Sequence, residues 1–215
     1  MNQQTKALNV LCGIEICAIL IFTIEKQLFP NWTPTQISLA IQIMAYIFSI
    51  YIIKDFKINP LNCFKIKRGT GKTTLILCLG ILFVCIAGAI IIRRIMNIFS
   101  PEVAARPFFG LYLKYNRRYI YPLIIVIQQC FSKAVMLDTL TKCFNKTAFW
   151  KINILSCLFF ASLHLGYDIW IMLGTVCLLF VTNIFYHKGK NIYSSIMLHF
   201  GCGFVAPMFG IIEYL

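Results

Sequence analysis

Three stretches of this chain set hydrogen-bonding side chains inside otherwise apolar runs. Gln128, Gln129, Ser132 and Lys133 interrupt the segment Leu123–Val135. His164 closes the run Phe159-Phe160-Ala161-Ser162-Leu163, and His199 lies within Ser194–Phe200. An imidazole exchanges protons near neutral pH or binds a metal, a carboxamide only donates and accepts hydrogen bonds, and an ammonium brings a fixed charge. Each of these groups is costly in hydrocarbon unless it finds a partner, so all are expected to face the interior of a helix bundle and converge on one pocket. The competing purpose for the same residues is interhelical hydrogen-bonding glue.

Other patterns are weaker. Arg68-Gly69-Thr70-Gly71-Lys72-Thr73-Thr74 looks like a phosphate-binding loop, but the first glycine of that spacing falls on Ile66 and no strand precedes it. It reads as a basic loop before a membrane helix. The sequons Asn31-Trp32-Thr33 and Asn145-Lys146-Thr147 read as chance, since glycosylation needs a secretory-pathway host and the second sits in a connection assigned to the cytoplasm. His164, His199 and Asp168 are a possible metal set, yet no His-Glu-x-x-His pattern occurs. No metal site and no cofactor are expected.

The order of the three stretches carries more. Gln128-Gln129-Cys130-Phe131-Ser132-Lys133, then Phe160 with His164, then His199 with Gly203 follow the motifs Glu-Glu-x-x-x-Arg, Phe-x-x-x-His and His-x-x-x-Asn. In this, residues 119–205 resemble the CPBP family of membrane proteins, which includes the type II CAAX prenyl proteases and bacterial bacteriocin-processing and immunity relatives. The resemblance implies an all-α intramembrane bundle. It also implies a glutamate that activates water, assisted by the second-motif histidine, and an oxyanion held by the third-motif histidine and asparagine. Matching positions here are Gln128, Gln129, Lys133, His164, His199 and Gly203.

The departures matter chemically. A carboxamide is not a usable base near neutral pH, so Gln128 and Gln129 keep the reach of glutamate without its proton chemistry. Loss of one oxyanion donor, here at Gly203, costs about 2.7–4 kcal/mol in other hydrolases. Lys133 and Gly203 are not changes that trapping a substrate would require, so the pattern reads as natural loss. The first expectation is a catalytically impaired, protease-like protein that binds or regulates a membrane protein or peptide. Two alternatives stand beside it: an active endopeptidase rescued by another carboxylate such as Asp168 or Glu15, and a small transporter or immunity protein. Glu15 and Lys133, each a lone charge in an apolar helix, are also expected to pair or else to reach separately for water or headgroups.

The elements that position these residues follow from composition. Of 215 residues, 60% are hydrophobic and 13% charged, about half the charge of a soluble domain. Apolar runs near 8–29, 34–53, 74–92, 119–138, 151–166, 169–186 and 192–213 suit about seven spans, the fifth being the shortest. The chain is expected to be one integral membrane domain, 1–215, with almost nothing outside the bilayer.

A net charge of +13, from 20 Lys+Arg against 7 Asp+Glu, speaks for anionic lipid headgroups and positive-inside topology, and no soluble basic face is available for nucleic acid. Lysines in the second, fourth and sixth connections put these loops and the N-terminus on the cytoplasmic side, in a bacterial plasma membrane. Arg93, Arg94, Arg106, Lys114, Arg117 and Arg118 disagree. Mixed with Phe108, Phe109, Tyr112, Tyr115, Tyr119 and Tyr121, they suggest a headgroup-level amphipathic segment. The first apolar run is broken by Glu15 and lacks the cleavage site of a signal peptide. Ten cysteines without a Cys-x-x-Cys pair point to packing rather than to disulfides or zinc.

Overall fold

The computed structural model describes residues 3–65, 71–110, 115–167 and 169–211, with the backbone alone at 26, 35 and 115–119. Arg68–Thr70 of the glycine-rich loop, Asp168, and the side chains of Tyr112, Lys114, Tyr115, Arg117, Arg118 and Tyr119 lie outside the described residues. Among those described, the chain is all-helical.

Helix α1 (Gln3–Leu28) is followed by α2 (Pro34–Asp55). The start of α2 is set locally: Gln36 N–H donates to the Thr33 hydroxyl at 3.4 Å, Thr33 N–H donates to the Gln36 side chain at 2.8 Å, and Pro34 supplies the first helical residue. A 3-10 turn, Pro60–Phe64, leads toward α3 (Gly71–Phe99), and Ser100 caps the one-turn α4 (Pro101–Ala104). Then come α5 (Tyr115–Gln129), a π-helical stretch (Cys130–Leu137) and α6 (Asp138–Cys143), followed by α7 (Phe149–Ser162), α8 (Ile169–Gly189) and α9 (Ile192–Met208).

Five segments are long and apolar enough to cross a bilayer: Gln3–Glu25, Gln36–Asp55, Gly71–Phe99, Ile120–Cys143 and Ile169–Gly189. Two further apolar helices, α7 and α9, are shorter than the expected spans. At a rise of about 1.5 Å per residue, α7 covers roughly 20 Å, short of the roughly 30 Å hydrocarbon core. It stops early because the chain turns at Leu163–Gly166 and packs against the start of α2. A Cβ on Gly166 would stand 2.5 Å from the Pro34 carbonyl oxygen, so only glycine permits that approach.

The principal core joins α1, α2, the π-helical stretch, α6 and α7 through Ile14, Ile41, Leu137, Leu140 and Phe160, all buried. Helix α3 instead turns Phe83, Ile98 and Phe99 outward, as a helix wetted by lipid should.

Ionic contacts gather at one end of the bundle. Lys6 pairs with Asp55 and Lys190 with Asp138, both at 2.6 Å, while Lys142 donates to the carbonyl of Phe56, the residue that caps α2, at 2.8 Å. At the far end of α3, Arg93 is buried rather than lying among headgroups. Its Nη2 donates to the carbonyl oxygens of Val103, Arg106 and Pro107 at 2.7–3.3 Å, tying the segment after α4 back onto α3. Arg94 stays at the surface, over the Phe108 ring at 5.0 Å.

Candidate functional site

Gln128 and Gln129 end α5 where the backbone widens into the π-helical stretch, a local irregularity often found beside functional sites. Both side chains are buried. The Gln128 amide donates to Gln42 Oε1 at 2.9 Å. Gln42 in turn donates to the Ser38 hydroxyl at 3.0 Å, and Ser38 donates to the Leu163 carbonyl at 2.9 Å. One amide relay thus links α5 and α2 to the turn that carries His164.

The histidines are held in defined tautomers. His164 Nδ1 faces the Phe160 carbonyl at 3.2 Å. Because a carbonyl only accepts, Nδ1 carries the proton and Nε2 is left as an acceptor. Gln129 Nε2 lies 2.6 Å from His199 Nδ1. Here the amide N–H is the donor, so the ring's own proton sits on Nε2. One imidazole therefore offers an acceptor and the other a donor. Gln129 Oε1 is buried and has no partner among the described residues.

His164, His199, Gln128 and Gly203 line one cavity of about 450 Å³, together with Ser38, Gln42 and Tyr121. The size suits a small molecule or a few residues of peptide. Its remaining walls come from α2, α5, α8 and α9 and are mostly apolar, with Thr175 and, from the turn before α8, Tyr167 as further hydroxyl-bearing residues. Leu39, Ile120 and Trp170 line it while remaining 46%, 55% and 77% exposed, so the cavity opens on the flank of the bundle. In a membrane that flank faces lipid.

Lys133 lies apart from this cavity. It is fully buried, and its Nζ donates to Thr182 Oγ1 at 2.8 Å and Asn183 Oδ1 at 2.5 Å on α8. Asn183 continues to Asn153 Oδ1 at 2.7 Å, and Asn153 to the Phe180 carbonyl at 3.1 Å. The expected Glu15–Lys133 pair does not form. Glu15 instead accepts the Ser162 hydroxyl at 2.6 Å, because each charge finds neutral hydrogen-bond partners on the helix it already packs against. Nor does Lys133 reach for the headgroups: Thr182 and Asn183 give its amino group two local acceptors in place of water.

From sequence Tyr121 was assigned to a headgroup-level aromatic segment and not to the site, but it lines the cavity from α5. Its ring tip sits against Gly203, and a Cβ built there would collide with the hydroxyl. The pairing has a faint sequence signal, a tyrosine in one apolar run and a side-chain-free position in another, but nothing local connects them.

In comparison with known proteins, residues 75–205 match the family model described as Type II CAAX prenyl endopeptidase Rce1-like. No curated protein and no solved structure matches the chain.

Proposed function

The chain belongs to the type II CAAX prenyl endopeptidase Rce1-like family, and from that premise we propose that it is a non-hydrolysing member that binds a membrane-embedded peptide segment in its flank-opening cavity. One observation carries the reading: the Gln129 amide is committed to His199 Nδ1 at 2.6 Å, where a glutamate would have presented a carboxylate. The second glutamine is spent in the same way, on Gln42. Among the described residues no Asp or Glu lines the cavity, so water there meets amides, hydroxyls and neutral imidazoles. None of the amides or hydroxyls is a usable base near neutral pH, and the two imidazoles, one of them with a bare Nε2, have no carboxylate among the described lining residues to share the activation of a water.

The shape of the cavity favours a peptide over a polar solute. Its mouth lies between apolar residues of α2, α5 and α8, which suits a ligand arriving through lipid, while the amide relay offers hydrogen bonds to a backbone taken out of water. In this reading the basic end, with Lys6, Lys142 and Lys190, faces the cytoplasm by the positive-inside rule. The chain acts as one integral membrane unit that holds or regulates its partner.

The test is to reconstitute the protein in lipid nanodiscs with a photoreactive residue at Leu178 and a blocked, labelled poly-leucine peptide. Irradiation should cross-link the peptide, and mass spectrometry should find it uncut. Cleavage by the unaltered chain would replace this reading with that of an active endopeptidase. Absence of cross-linking would remove the binding role.

A further inference from the structure

We propose that the Tyr121 hydroxyl is a ligand-binding donor of the cavity, acting beside His199 to hold the carbonyl oxygen of a peptide amide. The inference rests on the cavity being a peptide site, as read above, and assigns it a residue that the family motifs do not mark.

The geometry begins at Gly203. After the hydroxyl oxygen, the nearest atoms to a Cβ at that position are Tyr121 Cζ at 3.1 Å and Cε1 at 3.5 Å. The tip of the phenol occupies the space that any side chain at 203 would need, so the two residues form one arrangement across α5 and α9. The ring is steadied by packing: Phe204 lies 5.5 Å away, tilted by 55°, and itself packs on Phe200 at 4.4 Å. Packing alone, and no hydrogen bond among the described residues, sets where the hydroxyl points.

Tyr121 lines the cavity, and so does Gly203, the residue its hydroxyl sits against. A phenol O–H without an acceptor is costly in apolar surroundings, so the site is incomplete until water or a ligand accepts from it. His199 and Gly203 are four residues apart on α9, one turn and one face. The Nε2–H of His199 and the O–H of Tyr121 therefore reach the same wall of the cavity from adjacent turns. Two donors on one wall match a carbonyl oxygen with its two lone pairs. The bare Nε2 of His164, on the same cavity, is an acceptor for an amide N–H. A hydrocarbon chain would satisfy none of these groups. A carboxylate would require a cation, and no Lys or Arg lines the cavity among the described residues. An amide fits.

The experiment uses the full chain in lipid nanodiscs and a blocked, fluorescently labelled poly-leucine peptide, with carbon-13 placed at successive carbonyls for infrared spectroscopy. Tyr121→Phe removes one oxygen and should weaken binding about two- to tenfold. The unaltered chain should lower the amide stretch of one labelled carbonyl, and Tyr121→Phe should return it toward the unbound frequency. Gly203→Ala, which unseats the ring, should do the same. If the unaltered chain binds the peptide yet shifts no carbonyl, or Tyr121→Phe binds equally well with the same spectrum, the donor role is overturned and the peptide site stands. If the unaltered chain fails to bind, the peptide reading falls and this inference falls with it.

Discussion

Gln129 and His199 stand 2.6 Å apart, amide nitrogen against Nδ1, and that single contact decides which nitrogen of a buried imidazole carries its proton. A carboxylate in place of the amide would reverse the requirement, because a carboxylate only accepts and Nδ1 would have to donate. The residue next to the histidine thus determines whether the cavity receives an N–H or a lone pair from it.

Gln129→Glu is therefore expected to move the His199 proton from Nε2 to Nδ1. Nitrogen-15 spectra of the histidine side chains distinguish the two tautomers, and the His164 signals serve as an internal reference. No change at His199 would mean that the amide does not control the ring.

The relay on the other side of the cavity behaves differently. Gln128 donates to Gln42 Oε1, so Gln128→Glu sets two oxygens against each other unless the Gln42 amide rotates. Rotation would turn the Gln42 oxygen toward the Ser38 hydroxyl, which already donates to Leu163. Gln128→Glu is expected to destabilise the bundle by about 1–3 kcal/mol, and Gln42→Leu alongside it should recover part of that loss. Thermal unfolding of the single and double variants measures the coupling.

Lys133→Met keeps much of the side-chain length but leaves the oxygens of Thr182 and Asn183 without their donor. A loss of about 1–3 kcal/mol is expected from those buried groups. Peptide binding should change far less than stability, since Lys133 does not line the cavity. A binding loss larger than the stability loss would contradict that separation.

At the turn that carries His164, Gly166→Ala would press a methyl against the Pro34 carbonyl. Overpacking of this kind costs about 1–3 kcal/mol, and the Ser38–Leu163 bond beside it should break first. Faster amide exchange at the start of α2, with the basic end unaffected, is the expected signature.

The packing of α3 on α9 can be checked chemically. Cys85 and Cys202 bring their sulfurs to 3.2 Å, close enough for a disulfide with small backbone adjustment. Copper–phenanthroline oxidation should join these two cysteines, as peptide mapping would show, and Cys85→Ser should abolish the product. Failure to cross-link would place α3 elsewhere.

Much of the architecture can be read along the chain. Long apolar runs report helices wetted by lipid, and each polar residue within them reports an inward face, because hydrocarbon offers no partner. On that reasoning Gln128, Gln129, Lys133, His164 and His199 were expected to converge on one pocket; Gln128, His164 and His199 line one cavity, Gln129 is not among its lining residues but touches it through His199, and Lys133 lies apart. The spans were overestimated where a turn replaced a helix, at Leu163–Gly166, because the close approach that stops α7 lies on α2, more than a hundred residues earlier in the chain.

What the sequence determined by itself was the membrane character, the helical class and the presence of two adjacent amides at 128 and 129 within an apolar run, all of which depend on residue type and local spacing. The tertiary structure alone decided which partner each buried group found. Lys133 turned to Asn183 rather than Glu15, Glu15 took the Ser162 hydroxyl, and Tyr121 filled the space left by Gly203. The reason is geometric: a polar group in lipid must find a partner, but which one lies within 3 Å depends on how neighbouring helices are rotated and offset, and that is set by packing over the whole bundle.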